Sequence, residues 1–163
     1  MSHTSAKATD RVGHISLIRC SADNPDFQKL VAELDQDLRI RDGAEHGFFA
    51  AFNKTDRIKH AVVAYLQDRP VGCGAMRAYN DASMEIKRMY VQAEQRGLGI
   101  GGTILKELEK WAGESGFTHC ILETGKKQPE AIALYLKHQY HYIPNYGPYE
   151  QVESSVCFEK NLH

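Results

Sequence analysis

Eight residues in the second half of the chain, Gln95-Arg96-Gly97-Leu98-Gly99-Ile100-Gly101-Gly102, place four glycines between a strand-like run and a helix-like run. Glycine lets successive backbone N–H groups turn into one small volume. The helix that follows adds the partial positive charge of its first turn. Such a segment suits a phosphate or pyrophosphate, in a chain of 163 residues with a formal net charge of −1. A charge so small argues against holding nucleic acid by bulk electrostatics, so an anionic partner must be met by local geometry. The plainer reading is a glycine-rich turn that packs tightly and binds nothing.

Two nucleotide motifs compete for the same residues. Gly97, Gly99 and Gly102 satisfy G-x-G-x-x-G, and Glu123 follows about 20 residues later, where a ribose-binding acid belongs. A dinucleotide fold needs further parallel strand–helix units after its fingerprint. Here only about 40 residues remain after Glu123, reading as one helix and two strands with hairpin-like spacing. Strands before the turn are joined by short connections and are expected to be antiparallel. A P-loop is excluded because no Gly-Lys-Ser/Thr follows.

The surrounding pattern is α+β. His14 to Arg19 reads as a strand, and Pro25 opens a helix behind the N-cap residue Asn24, with Phe27, Leu30, Val31, Leu34 and Leu38 at helical spacing up to Asp42-Gly43. An aromatic segment, His46 to Phe52, is expected to form a second short helix. Lys59 to Gln67 and Val71 to Tyr79 form a hairpin around Gln67-Asp68-Arg69-Pro70. Ser83 to Val91 follows, with Met84, Ile86, Arg88 and Tyr90 alternating against Glu85, Lys87, Met89 and Val91. Ile100, Ile104, Leu105, Leu108, Trp111 and Ala112 make the clearest helical stripe, stopped near Gly116. A strand at His119 to Glu123, a helix from Pro129 to His138 and strands near Tyr140–Ile143 and Ser154–Glu159 complete the chain. Residues 1–13 are expected to form a flexible tail and residues 14–163 one domain. Cys20, Cys73, Cys120 and Cys157 are dispersed, without the clustered spacing of a zinc site. They read as reduced thiols of a cytoplasmic protein, no apolar run is long enough to span a bilayer, and neither metal nor membrane is expected.

Parsed from its arginine, the turn is Arg96-x-x-Gly99-x-Gly101, and here the sequence resembles the GCN5-related N-acetyltransferase (GNAT) superfamily, particularly its small bacterial single-domain members. The resemblance covers residues 84–140 closely, including Glu85-Ile86-Lys87-Arg88-Met89-Tyr90-Val91 and Pro129-Glu130-Ala131-Ile132-Ala133-Leu134-Tyr135. More loosely, it covers the element order from His14 to Glu159. It implies a central, mostly antiparallel twisted sheet of about six to seven strands flanked by about four helices. It further implies an acetyl-CoA-dependent N-acetyltransferase that acetylates a primary amine of a small molecule in a ternary complex. A non-catalytic sensor of CoA or acyl-CoA and, further off, a dinucleotide-binding oxidoreductase are the alternatives. Homodimers are common in the family, and no apolar stripe here specifies one.

The same resemblance implies residue roles. Tyr135 would protonate the departing thiolate, and Glu85, eleven residues before Arg96, would take the amine proton, with Glu123 in reserve. Met89, Tyr90 and Val91 would position pantetheine and thioester through their backbone. Arg96, Gly97, Leu98, Gly99, Ile100, Gly101 and Gly102 would hold the pyrophosphate. Gln128 stands where many relatives carry an asparagine near the pantetheine arm. Phe49 and Tyr146 fall in segments that flank the acceptor channel. Lys87 and Arg88, unusual charges on a central strand, suggest an acceptor that carries a carboxylate beside its amine; alternatively they balance Glu85 and Glu123.

Overall fold

The computed structural model describes residues 14–42 and 58–163. Strand β1 (Ile15–Cys20) leads to helix α1 (Pro25–Asp42), then β2 (His60–Leu66), β3 (Arg69–Ala78), β4 (Ser83–Val91), α2 (Ile100–Glu114), β5 (His119–Gly125), α3 (Pro129–Lys137), β6 (His141–Ile143) and β7 (Ser155–Asn161). Three α-helices therefore stand among the described residues, against about four expected. The aromatic segment His46 to Phe52, expected to be helical, lies outside the described residues, as does the tail.

Local chemistry sets these boundaries. The Phe27 N–H donates to Asn24 Oδ1 at 3.0 Å, capping α1 just ahead of Pro25. Gln67 and Asp68 both take positive φ, 52° and 68°, the two-residue hairpin turn that matches strand twist. Asn80 closes the next hairpin by accepting from the N–H groups of Ala82 and Ser83. Helix α2 ends at Gly116, whose φ of +93° is left-handed.

Seven strands form one sheet in the order β1-β2-β3-β4-β5-β7-β6. Among the described residues only β4 and β5 run parallel, and every other neighbouring pair is antiparallel. That is incompatible with the serial parallel units of a dinucleotide fold. The two faces are covered separately. Val62, Ala64, Met76, Met84 and Ile86 pack with the buried stripe Ile100, Ile104, Leu105 and Leu108 of α2 and with Tyr135 of α3. Ala61, Val63, Cys73 and Ala75 pack with Phe27, Leu30 and Val31 of α1. Each fully buried Leu, Ile or Phe contributes about 1.5–3 kcal/mol relative to exposure.

Two irregularities shape the centre. The β4–β5 ladder holds for three pairs, Ser83↔His119, Met84↔Cys120 and Glu85↔Ile121, and stops. Beyond it, β4 has no strand partner on that side among the described residues. On its other side β4 is bulged: Cys73 pairs with Tyr90 but Ala75 pairs with Lys87, so Arg88 and Met89 share Gly74. Arg88 takes φ 60°, rare for a side chain of its size. The bulge corrects the simple alternation. Met89 and Val91 do not share a face with Glu85 and Lys87; they join Ile86 on the α2 side, while Tyr90 turns to α1.

The bulge depends on close approach at Gly74, where a Cβ would lie 2.6 Å from Met89 Sδ and 2.9 Å from both Ile104 Cγ2 and Leu108 Cδ1. Gly74→Ala should therefore lower stability by about 1–3 kcal/mol in urea unfolding. Gly113, inside α2 with nothing within 4 Å of its Cβ position, is the control. Gly113→Ala should raise stability by about 0.5–1 kcal/mol. A neutral Gly74→Ala would contradict the packing described.

Candidate active site

The glycine turn folds as an open cradle. Gly97 and Gly99 have φ of +85° and +84°, with nothing within 4 Å of a Cβ, so glycine is required there by conformation and not by space. Gly99 caps α2, and the first helical bond runs from the Thr103 N–H to the Gly99 carbonyl at 3.1 Å. The N–H groups from Gly97 to Gly102 find no acceptor among the described residues. No acidic side chain sits in the first turn of α2. A row of free donors at a helix N-terminus fits a pyrophosphate.

Within the cradle the side chains have other tasks. Ile100 is core and offers a ligand only its backbone, whereas the Leu98 side chain is exposed. Arg96 buttresses the turn: its Nε donates to the Val91 carbonyl at 2.8 Å, and its guanidinium lies over Tyr90 and 3.8 Å from Asp37. The Tyr90 hydroxyl is pushed up to about 12 by burial and Glu33, to which it donates at 3.2 Å. Only the backbone of Tyr90 is left for a cofactor. Gly102 is small because the His138 ring comes within 2.6 Å of a Cβ there. That packing role had no signal in the chain order.

Where β4 and β5 part, two cavities open. The larger, about 420 Å³, runs from Gly97, Gly99 and Gly101 past Val91 and Met89 to Tyr135. The smaller, about 90 Å³, is lined by Glu85, Lys87, Arg88, Glu123, Tyr135 and Tyr149. Met89, Gln128, Ala131 and Tyr135 line both. Tyr135 thus stands at the junction, its ring edge-on to Tyr140 at 5.8 Å and tilted against Phe158 at 6.0 Å. Its hydroxyl has no hydrogen-bond partner among the described residues. Burial, with Glu123 adding to it, raises the phenol well above its ordinary value and keeps it protonated at neutral pH.

The smaller cavity gathers charges from two strands, and Arg77 of a third adjoins Glu85. Glu85 is 3% exposed and accepts from the Tyr146 hydroxyl at 2.7 Å; Arg77 Nε lies at 3.4 Å and Lys87 Nζ at 3.9 Å. Glu123 accepts from the Ser155 hydroxyl at 2.6 Å. Burial lowers the Lys87 pKa, with Glu85 opposing the shift. Arg88 extends to α1, where its NH2 group lies 3.3 Å from Asp35, and its Nε has no partner. Burial also raises the Tyr146 and Tyr149 hydroxyls, which remain donors. Arg77 and Ser155 were not foreseen; only strand register, Arg77↔Glu85 and Gly125↔Ser155, brings them here. Asn145 holds the turn carrying Tyr146, its Nδ2 lying 3.1–3.2 Å from the carbonyls of Tyr149, Val152 and Ser155. Phe49 lies outside the described residues.

Among the described free thiols, Cys157 packs against Tyr149 and lies opposite Glu123 in the ladder, with burial raising its pKa. Cys73 is buried, its pKa pushed far up by desolvation, and its Sγ donates weakly to the Arg88 carbonyl at 3.5 Å. Among the described residues, no group of three or more His, Cys, Asp or Glu is placed to hold a metal, and no helix is long and apolar enough to cross a membrane.

Comparison with known proteins gives this geometry a family. The model of the acetyltransferase (GNAT) family matches residues 20–140. An IAA acetyltransferase of Azospirillum brasilense is 37% identical over 102 residues, which span 62% of this chain and 67% of that protein. A proposed acyl-CoA N-acyltransferase from Klebsiella pneumoniae subsp. pneumoniae superposes with a TM-score of 0.77 at 28% identity, covering 91% of this chain and 98% of that one. The PaiA N-acetyltransferase of Thermoplasma acidophilum, solved in complex with coenzyme A, shares the fold with a TM-score of 0.68 at 18% identity, over 90% and 98% of the two chains. The chain belongs to the GNAT acetyltransferase family and is an acyltransferase.

Proposed function

We propose that this chain is an acetyl-CoA-dependent N-acetyltransferase that acetylates a primary amine of a small molecule by direct transfer in a ternary complex. One observation carries the reading. The groove leading from the glycine cradle and the charged cavity between β4 and β5 meet at Tyr135. Bound acetyl-CoA would supply the activated acyl carbon. The N–H groups from Gly97 to Gly102 would hold its pyrophosphate, and the open edge of β4 at Met89 and Val91 would orient pantetheine and carbonyl. Gln128 and Ala131, which line both cavities, would flank the arm where it enters.

Tyr135 would protonate the departing sulfur, a role that fits a phenol kept protonated by its surroundings. Glu85 would take the proton of the attacking amine, directly or through a water; its hydrogen bond from Tyr146 fixes the carboxylate in place. Glu123 would serve as a second carboxylate for the ammonium. Orienting both substrates in one cleft itself contributes several kcal/mol. Dispersed free cysteines support a cytoplasmic setting, and a net charge of −1 supports a small molecule over nucleic acid as partner.

Coenzyme A and acetyl-CoA should raise the melting temperature, with about 2.7 kcal/mol of added stability at a hundredfold excess over Kd, whereas NAD(P) should not. Stabilisation by NAD(P) alone would overturn the reading. In a thiol-release assay against amino acids, polyamines, aminoglycosides and peptide N-termini, at least one amine should turn over. Tight CoA binding without any turnover would instead favour a sensor. Tyr135→Phe should lower kcat by about 10²–10⁴-fold and leave CoA affinity within about twofold. Equal losses in both would make Tyr135 structural.

A further inference from the structure

Lys87 is the buried charge that the transfer chemistry leaves unused. Its side chain is 3% exposed, yet its nearest carboxylate oxygen, on Glu85, is 3.9 Å away. No acceptor lies within hydrogen-bond distance of Nζ among the described residues. An ammonium removed from water without hydrogen bonds is expensive. A purely structural ion pair would close to about 2.7–2.9 Å. Glu85 does not close on Lys87, because it is already held by the Tyr146 hydroxyl and lies near Arg77.

Arg88 repeats the pattern beside it. The bulge keeps it in the lining of the same cavity, with a side chain only 7% exposed. One end of the guanidinium meets Asp35, while Nε, fully enclosed, has no acceptor. Adjacent β4 residues thus bring two buried cations to one wall, and Lys87 brings its ammonium donors unpaired. Glu85 and Glu123 bring two carboxylates to the same space. At about 90 Å³ this space is sized for a head group, far below the several hundred Å³ of a site for a drug-sized molecule. A plain amine would satisfy the carboxylates and leave both cations as they are. A ligand carrying ammonium and carboxylate together would complement all four.

We propose that the acyl acceptor is a small zwitterionic amine, such as an α-amino acid, whose carboxylate is bound by Lys87 with Arg88 beside it while its amine faces Glu85 and Glu123. This inference rests on the transferase reading for the identity of the ligand as acceptor, but its charge requirement is separable. A hydrogen bond to a charged group is worth about 1.5–3 kcal/mol, or roughly 10–150-fold.

The test uses matched pairs on the full chain: leucine with isopentylamine and leucinamide, and phenylalanine with phenethylamine and phenylalaninamide. For at least one side chain, the carboxylate-bearing member should exceed both partners in kcat/KM by at least about tenfold, and Lys87→Met should shrink that gap to about twofold by raising KM. Turnover of the carboxylate-free members as efficient as that of the amino acids would overturn the inference and leave the transferase intact. If no pair turns over, the transferase reading is left to the wider amine panel, and calorimetry on CoA-loaded protein decides the inference. Binding of the amino acid at least about tenfold tighter than its amide supports it; equal binding, or none, overturns it. Should Lys87→Met not fold, the amino acid–amide comparison on the unaltered protein tests the same contact.

Discussion

The parting of β4 from β5 after the pair Glu85↔Ile121 is the constraint on which the rest of the structure depends. A parallel pair in the middle of an otherwise antiparallel sheet should continue its ladder unless something pulls the strands apart. Here the bulge at Arg88 and Met89 bends β4 away, and Gly74 lets the bulged residues approach α2 closely. The backbone strain at Arg88 is of the kind that persists only where surrounding packing over-determines it. The same step aims Met89 and Val91 at the groove and Tyr90 at α1. One extra residue in one strand thereby supplies both a cleft and its lining.

Around that cleft, the groups that could meet an anion are of two kinds. The cradle uses backbone donors and a helix N-terminus, which carry no net charge and explain how a nearly neutral chain suits a phosphate-bearing partner. The inner cavity instead uses full charges in low dielectric, where each must be balanced. Glu85, Glu123, Lys87 and Arg88 are drawn from two strands, while Tyr146 and Ser155 come from distant parts of the chain. Tyr135 belongs to neither set. Its hydroxyl stays protonated and without a partner where the two cavities meet.

Much of this was legible in the chain. Period and caps placed the α2 stripe, the Asn24–Pro25 start and the hairpin around Gln67, because those signals are local. The cradle was legible for the same reason: its glycines are contiguous and their conformations are a property of the turn. The bulge was not, since an extra residue in β4 leaves the run Glu85 to Val91 looking like simple alternation. Glu85 was therefore assigned the company of Met89, which in fact faces α2. Nor could Arg77, Ser155 or the fit of His138 against Gly102 be read, because each depends on register or on helix packing between segments far apart. Tyr146 was placed near the acceptor site, but its bond to Glu85, 61 residues away, belongs to the fold alone.

The central claim is that the cradle and the freed edge of β4 form one cofactor groove ending at Tyr135. A titration of ¹⁵N-labelled protein with coenzyme A, followed amide by amide, tests it most directly. The account predicts that the largest shifts fall on the amides of Gly97 to Gly102 and of Met89 to Val91. Saturable binding that leaves those amides unmoved while shifting others would contradict it.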